Sequence, residues 1–241
     1  MPIEEFTLRP GGRQDLSAMA EQFVRVRAAS VPQMPPSAYT VEDVRTHFES
    51  WDLNRREVWV AEADGRMIGQ LVLDGDWLEG LYVEPDAQRF GVGSALLDMA
   101  KMRRPTGFAL WVFVTNRRAR SFYGAHGLID LEETDGSANP EAAPDLRMAW
   151  PGGNPLSFLR RSIDEVDEQL GDLLARRAAL TRAVQPYKVS PGRDAARERE
   201  IAAGVARRAP ALGEDRVQRI MDVIITESLG SLSSSSRDRD D

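Results

Sequence analysis

Two stretches of the sequence place chemistry-bearing residues at informative spacings. The first is Gln88-Arg89-Phe90-Gly91-Val92-Gly93-Ser94, between an apolar run that ends at Val83 and an amphipathic run that follows. Glycines at 91 and 93 let the backbone approach a ligand closely. The free amides of a helix start then point at an anion, and the helix dipole favours it, so a pyrophosphate is the natural guest. The spacing Gln-x-x-Gly-x-Gly is not the Gly-x-Gly-x-x-Gly of dinucleotide binders, and it lacks the lysine of a P-loop. A plain helix-start turn is the alternative. The second stretch carries arginines on an apolar stripe: Arg160 falls between Leu156 and Ile163, and Arg177 between Leu173 and Leu180. Arginines in such places need anionic partners. Lys188 follows Arg177 by eleven residues, which returns within about 20° of the same helix face. Arg160 lies 17 residues before Arg177, about 25 Å along a helix and rotated by about 100°. If all three hold one small anion, Arg160 comes from another chain, which predicts an intertwined dimer. The alternative is a helical dimerisation module whose arginines pair with Asp164, Asp167 and Glu198.

The elements that must position these residues follow from periodicity. Residues 1–150 mix period-2 and period-3.6 signals. They predict strands over 3–8, 58–62, 67–73, 78–83, 108–114, 128–132 and 145–150, with a turn at Ala63-Asp64-Gly65-Arg66. Helices are predicted over 14–28, 41–51, 91–103 and 116–126, the last ended by Gly127. The acidic stretch 132–144 reads as a mobile loop. Pro151-Gly152-Gly153-Asn154-Pro155 is a linker by composition. Beyond it only helical periodicity remains, over 156–184, 194–208 and 215–229, and the Ser/Arg/Asp-rich 231–241 reads as a disordered tail. The expectation is a domain over 1–150, a linker over 151–155 and a three-helix domain over 156–230.

Composition narrows the function classes. A chain of 241 residues with 42% hydrophobic residues is long enough for one or two cores. The net charge of −7 argues against a nucleic-acid footprint. Residues 1–155 hold 16 basic and 23 acidic side chains, which is all of that charge, and residues 156–241 hold 15 of each. There is no cysteine, which removes disulfides, thiol nucleophiles and thiolate metal sites and suits a reducing cytoplasm. His47 and His126 are the only histidines, too few for a histidine metal cluster, and His126 reads as a helix-end residue. No apolar run approaches the ~20 residues that span a bilayer. The opening MPIEEFTLRP does not read as a signal peptide. The expected setting is therefore cytoplasmic, without metal, nucleic acid or membrane.

The run Leu81-Tyr82-Val83, the turn Gln88–Ser94, Val114-Thr115-Asn116 and Ser121-Phe122-Tyr123 occur in order, and residues 6–150 resemble the GNAT superfamily of N-acetyltransferases. The resemblance implies an α/β fold, a mixed central sheet flanked by helices, with acetyl-CoA as co-substrate. It implies that the backbone of Gln88, Arg89, Phe90, Gly91, Val92, Gly93 and Ser94 cradles the pyrophosphate. It further implies that Leu81 and Val83 line the pantetheine arm, that Asn116 contacts the cofactor, and that Tyr123 protonates the departing thiolate. A phenolic hydroxyl suits that last role. For the general base, Glu79, Glu84 and an ordered water remain open, and the acceptor amine is unnamed.

The second stretch runs Leu159-Arg160-x-x-Ile163-Asp164-x-x-Asp167, Leu173-Leu174-Ala175-Arg176-Arg177, Lys188, Arg193-Asp194-Ala195-Ala196-Arg197-Glu198 and Ile224-Ile225-Thr226-Glu227-Ser228. It resembles the all-helical, AroQ-class chorismate mutases. The resemblance implies that Arg177 and a partner-chain Arg160 bind the carboxylates of chorismate, and that Lys188 reaches a carboxylate and the ether oxygen. Arg197 and Asp194 would line the site, Glu198 would take the ring hydroxyl, and Ser228 would meet a carboxylate. Leu232 stands where the family has Gln or Glu near the ether oxygen, and Pro186 would kink the helix just before Lys188. The expected protein is a bifunctional homodimer. The competing readings are an acetyltransferase with a non-catalytic dimerisation or chorismate-sensing module, and a mutase or lyase acting on a chorismate analogue.

Overall fold

The computed structural model describes residues 5–187 and 193–234, with side chains through Leu229. It divides into two compact units, Met1–Arg160 and Arg161–Asp241. The first unit is built on seven strands: β1 (Thr7–Pro10), β2 (Arg56–Ala63), β3 (Arg66–Asp74), β4 (Trp77–Val83), β5 (Phe108–Phe113), β6 (Ile129–Glu133) and β7 (Asp145–Trp150). They form one sheet in the order β1-β2-β3-β4-β5-β7-β6. Every pair of neighbours is antiparallel except β4 and β5, so the sheet is mixed, as expected.

Helices cover both faces. On one face α3 (Val92–Arg103) sets Leu96, Leu97 and Ala100 against Ile68, Leu71, Leu73 and Leu110, all at most 1% exposed. On the other, α1 (Leu16–Ala29) and α2 (Val41–Glu49) pack Met19, Val44 and Phe48 on Val58 and Val72. Coverage on two sides explains why β3 is buried almost throughout rather than alternating. A fourth helix, α4 (Arg117–Ala125), follows β5. Helix α2 begins at a capping box, with Thr40 Oγ1 accepting from Asp43 N–H at 3.1 Å and the Asp43 carboxylate accepting from Thr40 N–H at 2.9 Å.

Three local expectations are revised. The first strand is Thr7–Pro10 rather than 3–8, because its pairing with β2 runs from Thr7 opposite Glu62 to Pro10 opposite Trp59. Proline is tolerated there because β1 is an edge strand; residues 1–4 lie outside the described set. Helix α2 stops at Glu49, and Trp51 turns back to stack on Phe48 at 4.2 Å. The acidic segment before β7 is tied down: Arg27 holds Glu141 at 2.7 Å with both side chains buried, and Asn139 Nδ2 donates to Ala143 C=O at 2.8 Å.

Helix α5 (Pro155–Val184) starts at Pro155, the last residue of the expected linker. Proline suits the first turn, whose amide has no helical partner, and Asn154 Oδ1 accepts from Ser157 N–H at 3.1 Å. Its first turns belong to the first unit, where Phe158 is 6% exposed against Ala109 and Ala149. Gly107 permits this: its φ is +113°, and a Cβ would stand 2.4 Å from Phe158 Cδ2.

In the second unit α6 (Ala195–Arg208) and α7 (Glu214–Ser234) pack Ala202 and Ala206 on Val217 and Met221. Asp194 caps α6, its Oδ1 accepting from the amides of Ala196 and Arg197 at 3.0 Å. Pro186 lies in a short 3-10 turn, Gln185–Tyr187, after α5 has ended, so it stops that helix rather than kinking it. Helix α7 reaches Ser234, into the stretch expected as a tail, because each added residue only extends a ladder already formed. Residues 235–241 lie outside the described set. In α5 the stripe Ile163, Val166, Leu170, Leu173 and Leu180 is 48–62% exposed.

Candidate active sites

In the first unit, β4 and β5 run parallel but share a single register pair, Trp77 opposite Ala109. Beyond it they part, and a cleft of about 820 Å³ opens. Leu81, Val83, Gln88, Arg89, Gly91, Gly93, Ser94, Asn116 and Tyr123 all line it. Phe90 is exposed beside the cleft, and Val92 turns its side chain into the core at 1% exposure. Arg89 and Gly91 have φ of +71° and +84°, a strained turn that glycine relieves at only one of the two positions. The first backbone bond of α3 runs from Ala95 N–H to Gly91 C=O at 2.9 Å, so the amides of Val92, Gly93 and Ser94 have no acceptor among the described residues. Such donors, with the positive end of α3 behind them, are able to receive an anion.

Tyr123 is 8% exposed, and its hydroxyl has no hydrogen-bond partner among the described residues. Burial pushes its pKa well above the ordinary phenol value, so it stays a proton donor. Tyr82, raised in the same direction by burial, also lines the cleft. Asn116 caps α4, its Oδ1 accepting from Ala119 N–H at 3.1 Å. Glu79 is the extra residue of a bulge in β4, where Val72 pairs with Gly80 but Leu73 pairs with Leu78. Bulges free backbone groups and re-aim side chains beside sites of chemistry. Both carboxylate oxygens of Glu79 accept from Arg56, at 2.7 and 3.2 Å. Glu84 is buried and bound to Arg25 at 2.8 Å, away from the cleft lining. A second cavity of about 1080 Å³ adjoins the cleft and shares Leu78, Glu79, Gly80, Tyr82 and Trp111 with it.

In the second unit Arg177 is half-buried and donates to Ser228 Oγ at 2.8 Å and to Ile224 C=O at 3.5 Å. It has no carboxylate partner among the described residues. Arg160 is exposed and likewise unpaired among the described residues. Arg160 and Arg177 make no ion pair with Asp164, Asp167 or Glu198 among the described residues, but of the pairs weighed above as the alternative, the one at Glu198 does form, with Arg193. Glu198 takes Arg193 with Nε–Oε1 at 2.8 Å and Nη2–Oε2 at 2.7 Å, and Arg193 also binds Asp222 and Thr226. The hydrogen bonds from Arg193 hold the Glu198 pKa below the usual carboxylate range. Arg197 pairs with Glu200 on the surface. Lys188 lies outside the described residues, as does the side chain of Leu232.

An uncharacterised N-acetyltransferase of Archaeoglobus fulgidus is 33% identical over 139 residues, which cover 50% of this chain and 91% of that protein. The chain belongs to the N-acetyltransferase family. The profile of the acetyltransferase (GNAT) domain matches residues 54–127, and that of chorismate mutase type II matches residues 159–231. Peptidyl-lysine N-acetyltransferase YiaC of Escherichia coli is 33% identical over 96 residues, 39% of this chain and 62% of that protein. Among solved structures, apo YjaB of Escherichia coli aligns with a TM-score of 0.51 at 21% identity, over 62% of this chain and 99% of its own. A GCN5-related N-acetyltransferase from Rhodopseudomonas palustris aligns with a TM-score of 0.50 at 22% identity, over 63% and 98%. These two show the fold. With a GNAT acetyltransferase domain and a chorismate mutase domain in one chain, the protein is bifunctional. Among the described residues no helix is long and apolar enough to cross a membrane.

Some residues of these domains escape a reading of the sequence alone. Arg118 lines the GNAT cleft from the first turn of α4. A cation at a helix N-terminus opposes the dipole, and that misfit is a local signal that a sequence reading can use. Ser94 Oγ stands 3.1 Å from His126 Nε2, whose Nδ1 lies 2.8 Å from Phe122 C=O. The carbonyl requires a proton on Nδ1, so in the neutral ring Ser94 donates to Nε2. Only the packing of α3 beside α4 reveals this pair.

Proposed function

We propose that the GNAT domain transfers acetyl from acetyl-CoA to a primary amine. The observation that carries this reading is the convergence on one cleft of the unpaired amides of α3 and the buried Tyr123 hydroxyl. The amides from Gly91 to Ser94, with Arg89 and Arg118, bind the pyrophosphate, and the parted edges of β4 and β5 take the pantetheine arm. The neutral amine nitrogen bonds to the thioester carbonyl carbon and the C–S bond breaks. Sulfur leaves with a proton from Tyr123, and the nitrogen gives up its extra proton to Glu79 or water. Tyr123→Phe tests the assignment, with free CoA release as the readout.

We propose that the mutase domain rearranges chorismate to prephenate, a reaction that needs a compact substrate pose and stabilised charge rather than covalent help. Arg177, already oriented by Ser228, receives one carboxylate. Glu198, held ionised by Arg193, accepts the ring hydroxyl. Arg160 reaches the site from a second copy, and Lys188 contributes from the segment between α5 and α6. The exposed stripe of α5 supports the homodimer, because burying an apolar side chain of this size is worth about 1.5–3 kcal/mol. Both substrates belong to a cytoplasmic setting. Chorismate consumption by the purified protein, with prephenate identified by mass, tests this half; an unchanged chorismate pool would overturn it.

A further inference from the structure

The cavity beside the GNAT cleft is lined unlike the rest of the molecule. It carries Trp51, Trp77 and Trp111, three of the five tryptophans in the chain. Trp77 and Trp111 stack at 6.4 Å with an interplanar angle of 11°, and are 36% and 44% exposed. Arg147 stands over one face of Trp77 at 5.1 Å, and the aromatic surface still exposed on this wall suits a flat ring or a cation. The hydrogen-bonding groups are unbalanced. Gln70, fully buried, donates through Nε2 to Met19 C=O at 3.0 Å, and its Oε1 has no donor. The Oδ2 of Asp74, on the same face of β3, has no well-aligned donor either. Among the wholly buried lining atoms, Trp51 Nε1 is the one donor without an acceptor. The lining also has the carboxylates of Asp43, Asp74, Glu79 and Glu141 beside the guanidinium groups of Arg55 and Arg56, with Glu141 held from outside the lining by Arg27. Both arginines are engaged, Arg55 by Asp74 and Arg56 by Glu79.

From this we infer that the cavity takes an arylalkylamine, a primary ammonium on an aromatic ring with no carboxylate, as the acetyl acceptor. The inference rests on the acetyltransferase reading and narrows it. The ring lies on the face of the Trp77–Trp111 pair. The ammonium enters a lining with acceptors to spare, while a carboxylate on the same molecule finds both lining guanidinium groups already paired. At Gly80 and Tyr82 the cavity meets the cleft. There the amine loses its proton, its nitrogen bonds to the thioester carbon, and sulfur leaves with a proton.

The test compares tyramine, L-tyrosine and a blocked lysine peptide as acceptors for the full-length protein, with CoA release followed by a thiol reagent. The absence of cysteine leaves no background from the protein itself. Tyramine is expected to exceed L-tyrosine in kcat/KM by about tenfold or more, the consequence of an unpaired carboxylate. It is also expected to exceed the lysine peptide, and Trp77→Leu should raise the KM for tyramine about three- to tenfold. Because Trp77 lies outside the cofactor cleft, Kd for acetyl-CoA should not change in that variant, which also shows that it folds. Equal use of tyrosine, a preference for the peptide, or bound acetyl-CoA without tyramine turnover would overturn the inference alone. No binding of acetyl-CoA would overturn the acetyltransferase reading and this inference with it.

Discussion

In the first unit Ile68, Leu71, Leu73, Leu96 and Leu97 are wholly buried, whereas along α5 Ile163, Val166, Leu170, Leu173 and Leu180 stand about half exposed. Charge follows the same division. Buried carboxylates of the GNAT domain, such as Asp15, Glu84 and Glu141, each have an arginine within 2.8 Å. Arg177 of the mutase domain is half-buried with only neutral oxygens beside it. A site completed inside one chain satisfies its polar groups locally and keeps donors free only where a ligand enters. On the proposed dimer, a site completed by a second copy would leave both an apolar stripe and a cation waiting in the single chain. The largest effect should therefore come from that cation. Arg177→Ala is expected to lower chorismate turnover by at least about 100-fold and to leave acetyl-CoA binding and dimer mass intact. Loss of the dimer in this variant would make the arginine structural and dissolve the contrast.

The stripe itself is the next target. Leu170→Asp puts a charge on its midpoint, and the mass in solution should fall from dimer to monomer. Chorismate turnover should fall with it, since Arg160 then has no partner chain to reach, while CoA release by the GNAT domain continues. A monomer with full mutase activity would show that Arg160 is not donated across.

How much of this was legible in the sequence follows from the range of each interaction. The turn at Gln88–Ser94 and the apolar stripe of α5 are local patterns, and spacing alone reveals them. The tether of Glu79 to Arg56 is not local, because 23 positions separate residues that only the pairing of β2, β3 and β4 brings together. The same holds for Trp51, Trp77 and Trp111, which come from the segment after α2, from β4 and from β5 to one cavity. In the mutase domain Arg193 was visible as part of a motif, but its grip on Asp222 and Thr226 depends on α6 packing against α7. The place of Pro186 was misread for a related reason: periodicity marks a helix face well and its end poorly, and α5 stops two residues before the proline.

The GNAT side of the comparison is sharpened by two substitutions. Tyr123→Phe keeps the ring and removes the proton, so kcat should drop by about 100-fold, the lower end for a lost general acid, with Kd for acetyl-CoA unchanged. Because burial holds this hydroxyl protonated, the alkaline limb of kcat should not fall at the ordinary phenol value of 10. A limb at that pH lost in Tyr123→Phe would contradict the assignment. Gly93→Asp tests the amide cradle. A Cβ there lies an ordinary 3.5 Å from Phe122, so the change introduces charge rather than a clash. The carboxylate should weaken acetyl-CoA binding by about tenfold, and an unchanged Kd would remove the pyrophosphate from this turn.

The smallest effect concerns how local pairing supports the first unit. Asp15 is 6% exposed and accepts from Arg9 at 2.8 and 3.0 Å, and Arg9 also reaches Glu62 at 2.8 Å. The hydrogen bonds from Arg9 are the leading cause that holds the Asp15 pKa below its ordinary 3.8. A depressed folded-state pKa means that the stabilisation is fully present above the unfolded value and is lost as pH falls through the folded one. Arg9 is 40% exposed in its side chain, so solvent screening reduces the contribution. Arg9→Gln should therefore lower Tm by only about 2 °C at pH 7, measured on the GNAT transition. The gap between variant and parent should hold down to about pH 4 and close below it as Asp15 takes up its proton. A gap that persisted undiminished to pH 2 would assign the effect to the packing of the arginine stem instead of its charge.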